Sequence, residues 1–575
     1  MVTHKKTYSR LLINVFFLIL INVLASLVFF RFDLTSDKRH SLSETSKDLL
    51  KNLDDIVYLK VYLEGDFPAG FTRLKNATYD LLNEFRSYSS YIEYEFIDPS
   101  DNTQLEERNN LYRQLYEEGL EPTNLQVQEK NGSSEQIVFP GAIIYYKGKS
   151  AAINFLQSQL ATHPTLVLNN SIENLEYEFI SSIYKVLNQK KPRIAFLKGN
   201  GELDKFERSG IQDALGTIKG SLSEFYKVES FNIKEFETDS LQKKPSLQRQ
   251  QQRLNSYAAI MVAKPSDRFN ELEKLLLDQY LMQGGKILWF LDGVSMDMDS
   301  LKDGRPYALA LPKDLGLDDM LFKYGVRVNR DLILDVQSDK IPVVTGFQGK
   351  IPQQSLFPWF YNPLIISKEK HPISKNIDAI RSSFVSTIDT IKSSSVSKSI
   401  ILKTSPFSKV VLSPHRVSLS LLEQQPQLEQ YKSGEKIIGV LLEGSFNSYY
   451  ENRLTSQKQA ILTKSKATSM LVISDGDVIK NHVSKSGNPY LLGYNPFSKE
   501  MFKGNNELII NALHYMLGNK KLIEIRTNEF TLRMLDKEKI QKDRFFWQTL
   551  NMAMPSLIVV LFGIFWYLNR KTKFI

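Results

Sequence analysis

The residues best placed for chemistry are the polar ones that close apolar runs. Gly199, Asn200, Gly201 and Glu202 follow the run 193–198, Lys264 closes 257–263, Asp292 closes 286–291 and Asp475 follows 470–474. If those runs are strands of one parallel sheet, the seven residues gather beyond its carboxyl edge, where open α/β sheets bind ligands. Strand-end turns call for Gly, Asn and Asp in any case, so turn chemistry accounts for the same residues without a ligand. Asp297-Met-Asp299 and Asp475-Gly-Asp477 offer paired carboxylates to a hard cation. Neither runs on into a calcium loop with its glutamate at the twelfth position, so both read as solvated loops.

The missing residue types exclude more. With no cysteine there is no thiol catalysis, no CxxC redox pair and no thiolate zinc site. The seven histidines are never closer than 32 residues, so no local metal motif exists. Gly148-Lys149-Ser150 copies the end of a phosphate loop, yet Ile143 stands where that loop requires a glycine. No GxSxG occurs, and an amidotransferase-like sheet would need a cysteine nucleophile. No catalytic residue, metal or cofactor is therefore expected. Of the formal net charge of +9, six charges belong to Lys5, Lys6, Arg10, Arg570, Lys571 and Lys573 at the two ends, so the basic balance is no nucleic-acid footprint.

Those tails flank two apolar runs. Residues 11–30 include sixteen Leu, Ile, Val or Phe, too long a run for a signal-peptide core and without a small-residue cleavage site. Residues 550–568 form a second span, with Phe545, Phe546 and Trp547 at an interfacial position. The positive-inside rule then puts both tails, 1–10 and 569–575, in the cytoplasm and the large middle outside.

The elements that must position the strand-end residues are clearest in 270–301. Leu272, Leu275, Leu276 and Tyr280 line one helical face, with Glu271, Glu273, Lys274 and Asp278 away from it. Gly284-Gly285 ends that helix before a buried strand, and 257–263 supplies the preceding strand, which makes one right-handed crossover unit. With 193–198 and 227–233 the result is a flavodoxin-like doubly wound domain over 189–520, interrupted by an insertion at about 302–466. The glutamine-rich 243–253 reads as a surface insertion. Upstream, 56–188 has the order βαβαβββα of a thioredoxin-like module, in which 136–146 pairs with 151–155 through Lys147-Gly148-Lys149-Ser150. A juxtamembrane segment, 31–55, includes Arg31, Asp33, Leu34, Ser41 and Ser43, candidates for contact with a membrane partner; Ser43 is also a good N-cap. A charged arm, 521–549, leads to the second span.

Several runs together resemble the gliding-motility-associated ABC-transporter auxiliary (GldG) family. They are Lys191-Pro-Arg-Ile-Ala-Phe-Leu-Lys-Gly-Asn-Gly-Glu202, Leu277-Asp-Gln-Tyr-Leu-Met-Gln-Gly-Gly-Lys-Ile-Leu-Trp-Phe-Leu-Asp292, Phe322-Lys-Tyr-Gly-Val-Arg-Val-Asn329 and Leu441-Leu-Glu-Gly-Ser-Phe446, with Met298 to Leu301, Asp475-Gly-Asp477 and 31–43. The resemblance implies a two-span protein of the bacterial inner membrane with its bulk in the periplasm, acting with a separate ATPase subunit and a permease subunit. It carries over no catalytic residue. The expected function is a non-catalytic auxiliary subunit that docks permease and ATPase and couples them to periplasmic motility or secretion partners. The alternative is a periplasmic solute- or glycan-binding subunit using the strand-end cleft, and a hydrolase with an unusual nucleophile is a further rival.

Overall fold

The computed structural model describes residues 14–17, 41–101, 104–129, 132–156, 164–187, 191–209, 222–235, 246–301, 307–349, 351–375, 377–423, 427–451, 461–484, 486–518 and 543–573. The chain falls into two compact units, Ser41–Asn528 and Met1–His40 with Glu529–Ile575.

The larger unit begins with α1 (Glu44–Lys51), β1 (Val57–Val61), α2 (Ala69–Tyr88), β2 (Ile92–Phe96) and α3 (Leu105–Glu118). The hairpins β3 (Thr123–Glu129)/β4 (Gly132–Val138) and β5 (Gly141–Tyr146)/β6 (Lys149–Asn154) follow, then α4 (Pro164–Leu187). A mixed sheet runs β2-β1-β5-β6, with β1 parallel to β2 and antiparallel to β5. Leu74, Phe85, Phe179 and Ile183 of α2 and α4 cover one face over Val57, Leu59 and Ile144. Leu115 of α3 packs with Tyr62 and Ile143 on the other. The expected long strand 136–146 is broken at Phe139-Pro140, and each half pairs separately. The β5–β6 turn is confined to Lys147 and Gly148, whose φ values of 45° and 76° suit the twist of a two-residue hairpin.

The second part of this unit is built on seven strands: β7 (Arg193–Lys198), β8 (Lys227–Asn232), β9 (Ala259–Ala263), β10 (Lys286–Phe290), β11 (Val396–Lys403), β12 (Ile437–Gly444) and β13 (Thr468–Ile473). Their order is β11-β12-β13-β10-β9-β7-β8. Strands β8, β7, β9, β10 and β13 are parallel, while β12 and β11 extend the sheet antiparallel. Two strands from within 302–466 therefore belong to the central sheet, whereas the sequence reading placed that whole stretch in an insertion. The rest of the stretch forms its own core around Trp359, Tyr361 and Leu332, including the long hairpin Ser338–Gln348/Ile351–Ile365.

The continuous apolar runs of β7, β9, β10 and β13 are what a sheet covered on both faces requires. Helices α5 (Leu247–Leu254) and α6 (Glu271–Met282) contribute Leu254, Leu276 and Leu277 to one core with Ile260, Trp289 and Val472. Helix α7 (Gly504–Met516) contributes Leu508, Ile509 and Leu513 to the other, with Phe196, Met261 and Phe290. Asn270 caps α6 by accepting from the Leu272 and Glu273 N–H groups at 3.0 and 2.9 Å, and Glu273 returns a bond to the Asn270 N–H at 3.0 Å. Part of 243–253, read as a surface insertion, is helix α5, with Gln250 and Leu254 buried.

The polar face expected on α6 is covered as well. Glu273, Lys274 and Asp278 are buried, because 446–450 and the helix Asp318–Tyr324 pack over that side. The Asp278 carboxylate accepts from the Tyr324 and Ser448 hydroxyls at 2.7 Å each and from the Tyr449 N–H at 2.8 Å. Burial raises its pKa against these bonds.

In the smaller unit, α8 (Arg544–Lys573) contains a 27-residue stretch, Arg544–Arg570, within which an 18-residue window has a mean hydropathy of 1.8. Among the described residues it is the one helix long and apolar enough to cross a membrane. The expected first span, 11–30, lies outside the described residues apart from helical 14–17, and so do Arg31, Asp33 and Leu34.

His514 of α7 is buried with its Nδ1 2.8 Å from the Tyr226 hydroxyl, and burial pulls its pKa down to about 3. A histidine kept neutral in the fold but free to protonate when unfolded contributes stability above its ordinary pKa, lost as pH falls below it. Urea denaturation should therefore lose about 1 kcal/mol between pH 6 and pH 5 from this group. His514→Gln, which keeps an acceptor for Tyr226, should flatten that dependence; an unchanged slope would assign the acid sensitivity to another group.

Candidate functional site

The strand-end residues separate into two neighbouring sets. The first is a charge cluster. Lys264, one residue past β9, takes a left-handed φ of 51°, uncommon for a residue with a side chain. That turn sends its ammonium to Asp477, with which it forms an ion pair, and to Asp292 at 3.7 Å. Lys313 reaches Asp292 from the other side at 3.1 Å. The Gly476 N–H donates to Asp292 Oδ1 at 2.7 Å, and Asp475 accepts from the Asp477 and Ser383 N–H groups at 2.7 and 2.8 Å. A Cβ on Gly476 would lie 2.5 Å from Lys264 Cγ, so only glycine lets the lysine pass.

Burial opposes charge on Lys264, Asp292 and Asp475, but the carboxylates outweigh it at Lys264 and hold its pKa above the usual lysine range. At Asp292 burial likewise raises the pKa, and Lys264 and Lys313 more than reverse it, leaving the carboxyl below the ordinary value. At Asp475 burial and the neighbouring Asp477 and Asp292 act together and drive the pKa well above that value. Three carboxyls therefore face two ammoniums, and the excess negative charge together with burial disfavours the ionised form of Asp475. The nucleophilic role a strand-end lysine could play needs a neutral amine, and this arrangement opposes one.

Asp292, Asp475 and Asp477 bring carboxylate oxygens within 4.8 Å of one another, a spacing that could hold a cation. The Lys264 ammonium already bridges two of them, and a divalent ion would have to displace it against Lys313. The donors suit an internal ion pair better than a metal. Asp475 is fully buried, so the solvated loop expected at Asp475-Gly-Asp477 is instead the interior end of β13. Asp297 does sit in an exposed turn, accepting from the Ser300 N–H at 2.9 Å.

The second set lies at β7. Counted in chain order, the parallel strands run 2-1-3-4-5 across the sheet, so the order reverses at β7, and that reversal opens the crevice in which such sheets bind ligands. Gly199 and Gly201, with φ of 125° and 68°, shape the loop there. The Asn200 carbonyl accepts from the Ser266 and Asp267 N–H groups at 2.9 Å. Glu202 Oε2 accepts from the Asn200 N–H at 2.8 Å, and burial raises the Glu202 pKa. Both amide atoms of the buried Asn200 side chain and Glu202 Oε1 have no hydrogen-bond partner. The loop meets the charge cluster through 263–267, so the structure draws all seven predicted residues to one end of the sheet. Only Lys264, Asp292 and Asp475 share a network.

Sequence reading missed Lys313 and Ser383, which arrive from distant loops with no pattern to mark them. It also missed Arg208, buried against the Phe196 ring at 4.4 Å, with Nη2 2.8 Å from Ser230 Oγ and with Nε and Nη1 unpartnered. Of the docking candidates, Ser43 caps α1 by accepting from the Ser46 N–H at 3.2 Å, and its own N–H donates to Glu176 of α4 at 2.9 Å. Those bonds give it a structural role within the unit.

The family model described as an ABC-type uncharacterized transport system (auxiliary) matches residues 191–512, more than half of the chain. The chain belongs to this family. The match begins just before β7 and ends within α7, so in this chain it spans the whole seven-stranded sheet. A second model, a domain of unknown function (DUF7088), matches 36–145, from before α1 into β5. An uncharacterized protein of Borreliella burgdorferi is 22% identical over 98% of this chain and 97% of its own length, so the likeness includes the ends outside the family segment. Among solved structures, the mmIFT52 N-terminal domain is 13% identical over 56% of this chain and 96% of its own, with a TM-score of 0.29.

Lys264→Met leaves Asp292 and Asp477 facing each other without their shared cation. Removing one partner of a buried pair costs about 3–5 kcal/mol. Asp292, held below its ordinary pKa of about 4, contributes stability that is present above that value and lost as pH falls through the depressed one. The deficit of the variant, read from urea midpoints, should therefore be large at pH 7.5 and narrower near pH 3. An equal deficit at both would mean that Lys264 acts through packing alone.

Proposed function

We propose that this chain is a non-catalytic auxiliary subunit of an ABC transporter, anchored in the inner membrane with its α/β bulk in the periplasm. In this reading it docks a permease and, through it, a cytoplasmic ATPase, and couples their cycle to periplasmic partners in motility or secretion. The family match over 191–512 carries the reading. It is supported by the apolar helix Arg544–Arg570 and by a charge cluster whose reactive groups are neutralised by one another. Thioredoxin-like and flavodoxin-like ancestries for the two α/β parts belong to the same proposal, as do the first span at 11–30 and contacts from Arg31, Asp33, Leu34 and Ser41.

Affinity purification of the full-length chain in mild detergent from its own membranes tests this. A permease and an ABC ATPase should co-purify with it at stable ratios and be lost from a chain ending before Arg544. Retention of neither by the full-length chain, or ATP hydrolysis by the chain alone, would refute the proposal.

One observation favours a second reading, a solute- or glycan-binding subunit: the unpartnered Asn200 amide and Glu202 Oε1 at the sheet's reversal point. Thermal-shift titration with a panel of mono- and disaccharides should then give a saturable response that Asn200→Ala with Glu202→Gln abolishes while transporter association persists. No response across the panel would remove this reading.

A further inference from the structure

Among the described residues the four-stranded sheet ends at β6, which pairs only with β5. In an antiparallel ladder, alternate residues direct both backbone groups to the same neighbour. The Phe155 N–H donates to the Pro140 carbonyl at 2.9 Å, and the two-residue turn closes on Tyr146 and Lys149. This parity assigns Lys149, Ala151 and Ile153 to β5 and turns the N–H and C=O groups of Ser150 and Ala152 outward. Those outward groups meet no backbone partner among the described residues.

Along that edge lies a cleft of about 1210 Å³. The whole of β6 forms one wall, α4 contributes Glu178 and Lys185, and Lys227 and Val228 at the start of β8 lie across it. Strand β8 is itself the last strand of the seven-stranded sheet, so the cleft runs between the margins of two sheets. Its ends differ in charge. Lys149 stands exposed at the head of β6, and Glu121, whose N–H donates to Asn154 Oδ1 at 2.9 Å, stands at the foot. Among the described residues neither makes an ion pair. Five residues of strand separate these ends by roughly 17 Å.

We propose that β6 is a strand-addition site for an extended polypeptide segment of a partner protein, carrying an acidic residue opposite Lys149 and a basic one opposite Glu121. Main-chain bonds to Ser150 and Ala152 give the affinity, and the two end charges set direction and register. An open strand edge is a hazard unless it is covered, and a cleft walled by the second sheet shields this one from casual pairing while leaving room for one strand. This inference does not depend on transporter docking.

The test pans phage-displayed random twelve-residue peptides on the full-length chain in detergent and measures the selected peptides by fluorescence anisotropy and hydrogen exchange. Bound peptide should slow exchange at Ser150 and Ala152. Ala152→Pro deletes an outward N–H without touching the β5 ladder and should weaken binding at least tenfold. Lys149→Glu leaves the backbone intact, guarding against misfolding of the proline variant, and should select against the same peptides by a similar factor. The proposal is overturned if no peptide is enriched, if protection falls elsewhere, or if a folded Ala152→Pro and Lys149→Glu both bind unchanged.

Discussion

A parallel sheet cannot leave a face to water, because its crossover connections lie over both faces and its strands are apolar on both sides. Everything in the larger unit's second part follows from that constraint. Trp289, buried at the centre of β10, is packed from α6's side, while Leu288 and Phe290 on the same strand face α7. Strands β11 and β12 then extend the sheet beyond β13, and the helix Asp318–Tyr324 with 446–450 closes over the outer side of α6. The carboxyl ends of β9, β10 and β13 converge as a result, and the three carboxyls there, two buried and one half-buried, would repel one another without Lys264 and Lys313. The left-handed backbone at Lys264 and the missing Cβ at Gly476 are local costs accepted for that ion pair.

What could be read in the sequence were features with one-dimensional signatures. The four apolar runs at 193–198, 257–263, 286–291 and 470–474 coincide with strands at 193–198, 259–263, 286–290 and 468–473, because few other structures bury eight or fewer consecutive apolar residues. The glycine stop of α6 at Gly284-Gly285 was equally plain, whereas its capping box at Asn270 emerged from the structure. What could not be read were facts decided by neighbours distant in sequence. Asp278 looks like a solvated residue until Tyr324 and Ser448 arrive over it, and the strands at 396–403 and 437–444 carry no mark saying which sheet they join. The reversal of order at β7 is likewise a property of assembly.

The candidate site divides along the same line. Lys264, Asp292 and Asp475 were found because a strand's carboxyl end is a recognisable position. Their mutual cancellation was invisible, because it depends on distances of a few ångströms between residues some two hundred apart. Asn200 and Glu202 show the converse. Their spacing suggests only a turn, and the unpartnered atoms that give them interest emerge from the packing.

These contrasts locate where the molecule has binding capacity left. At the carboxyl end of the large sheet, side-chain charge is matched internally: each ammonium has its carboxylate, and burial disfavours charge on the remaining carboxyl, Asp475. At the β6 edge the side chains are small or polar, Ser150 and Ala152 among them, while the backbone groups stand open. Backbone recognition tolerates variation in the partner's sequence, since every residue but proline offers the same N–H and C=O. A pocket earns specificity by matching side chains to a ligand, whereas an edge needs only register, and here Lys149 and Glu121 fix that register from opposite ends.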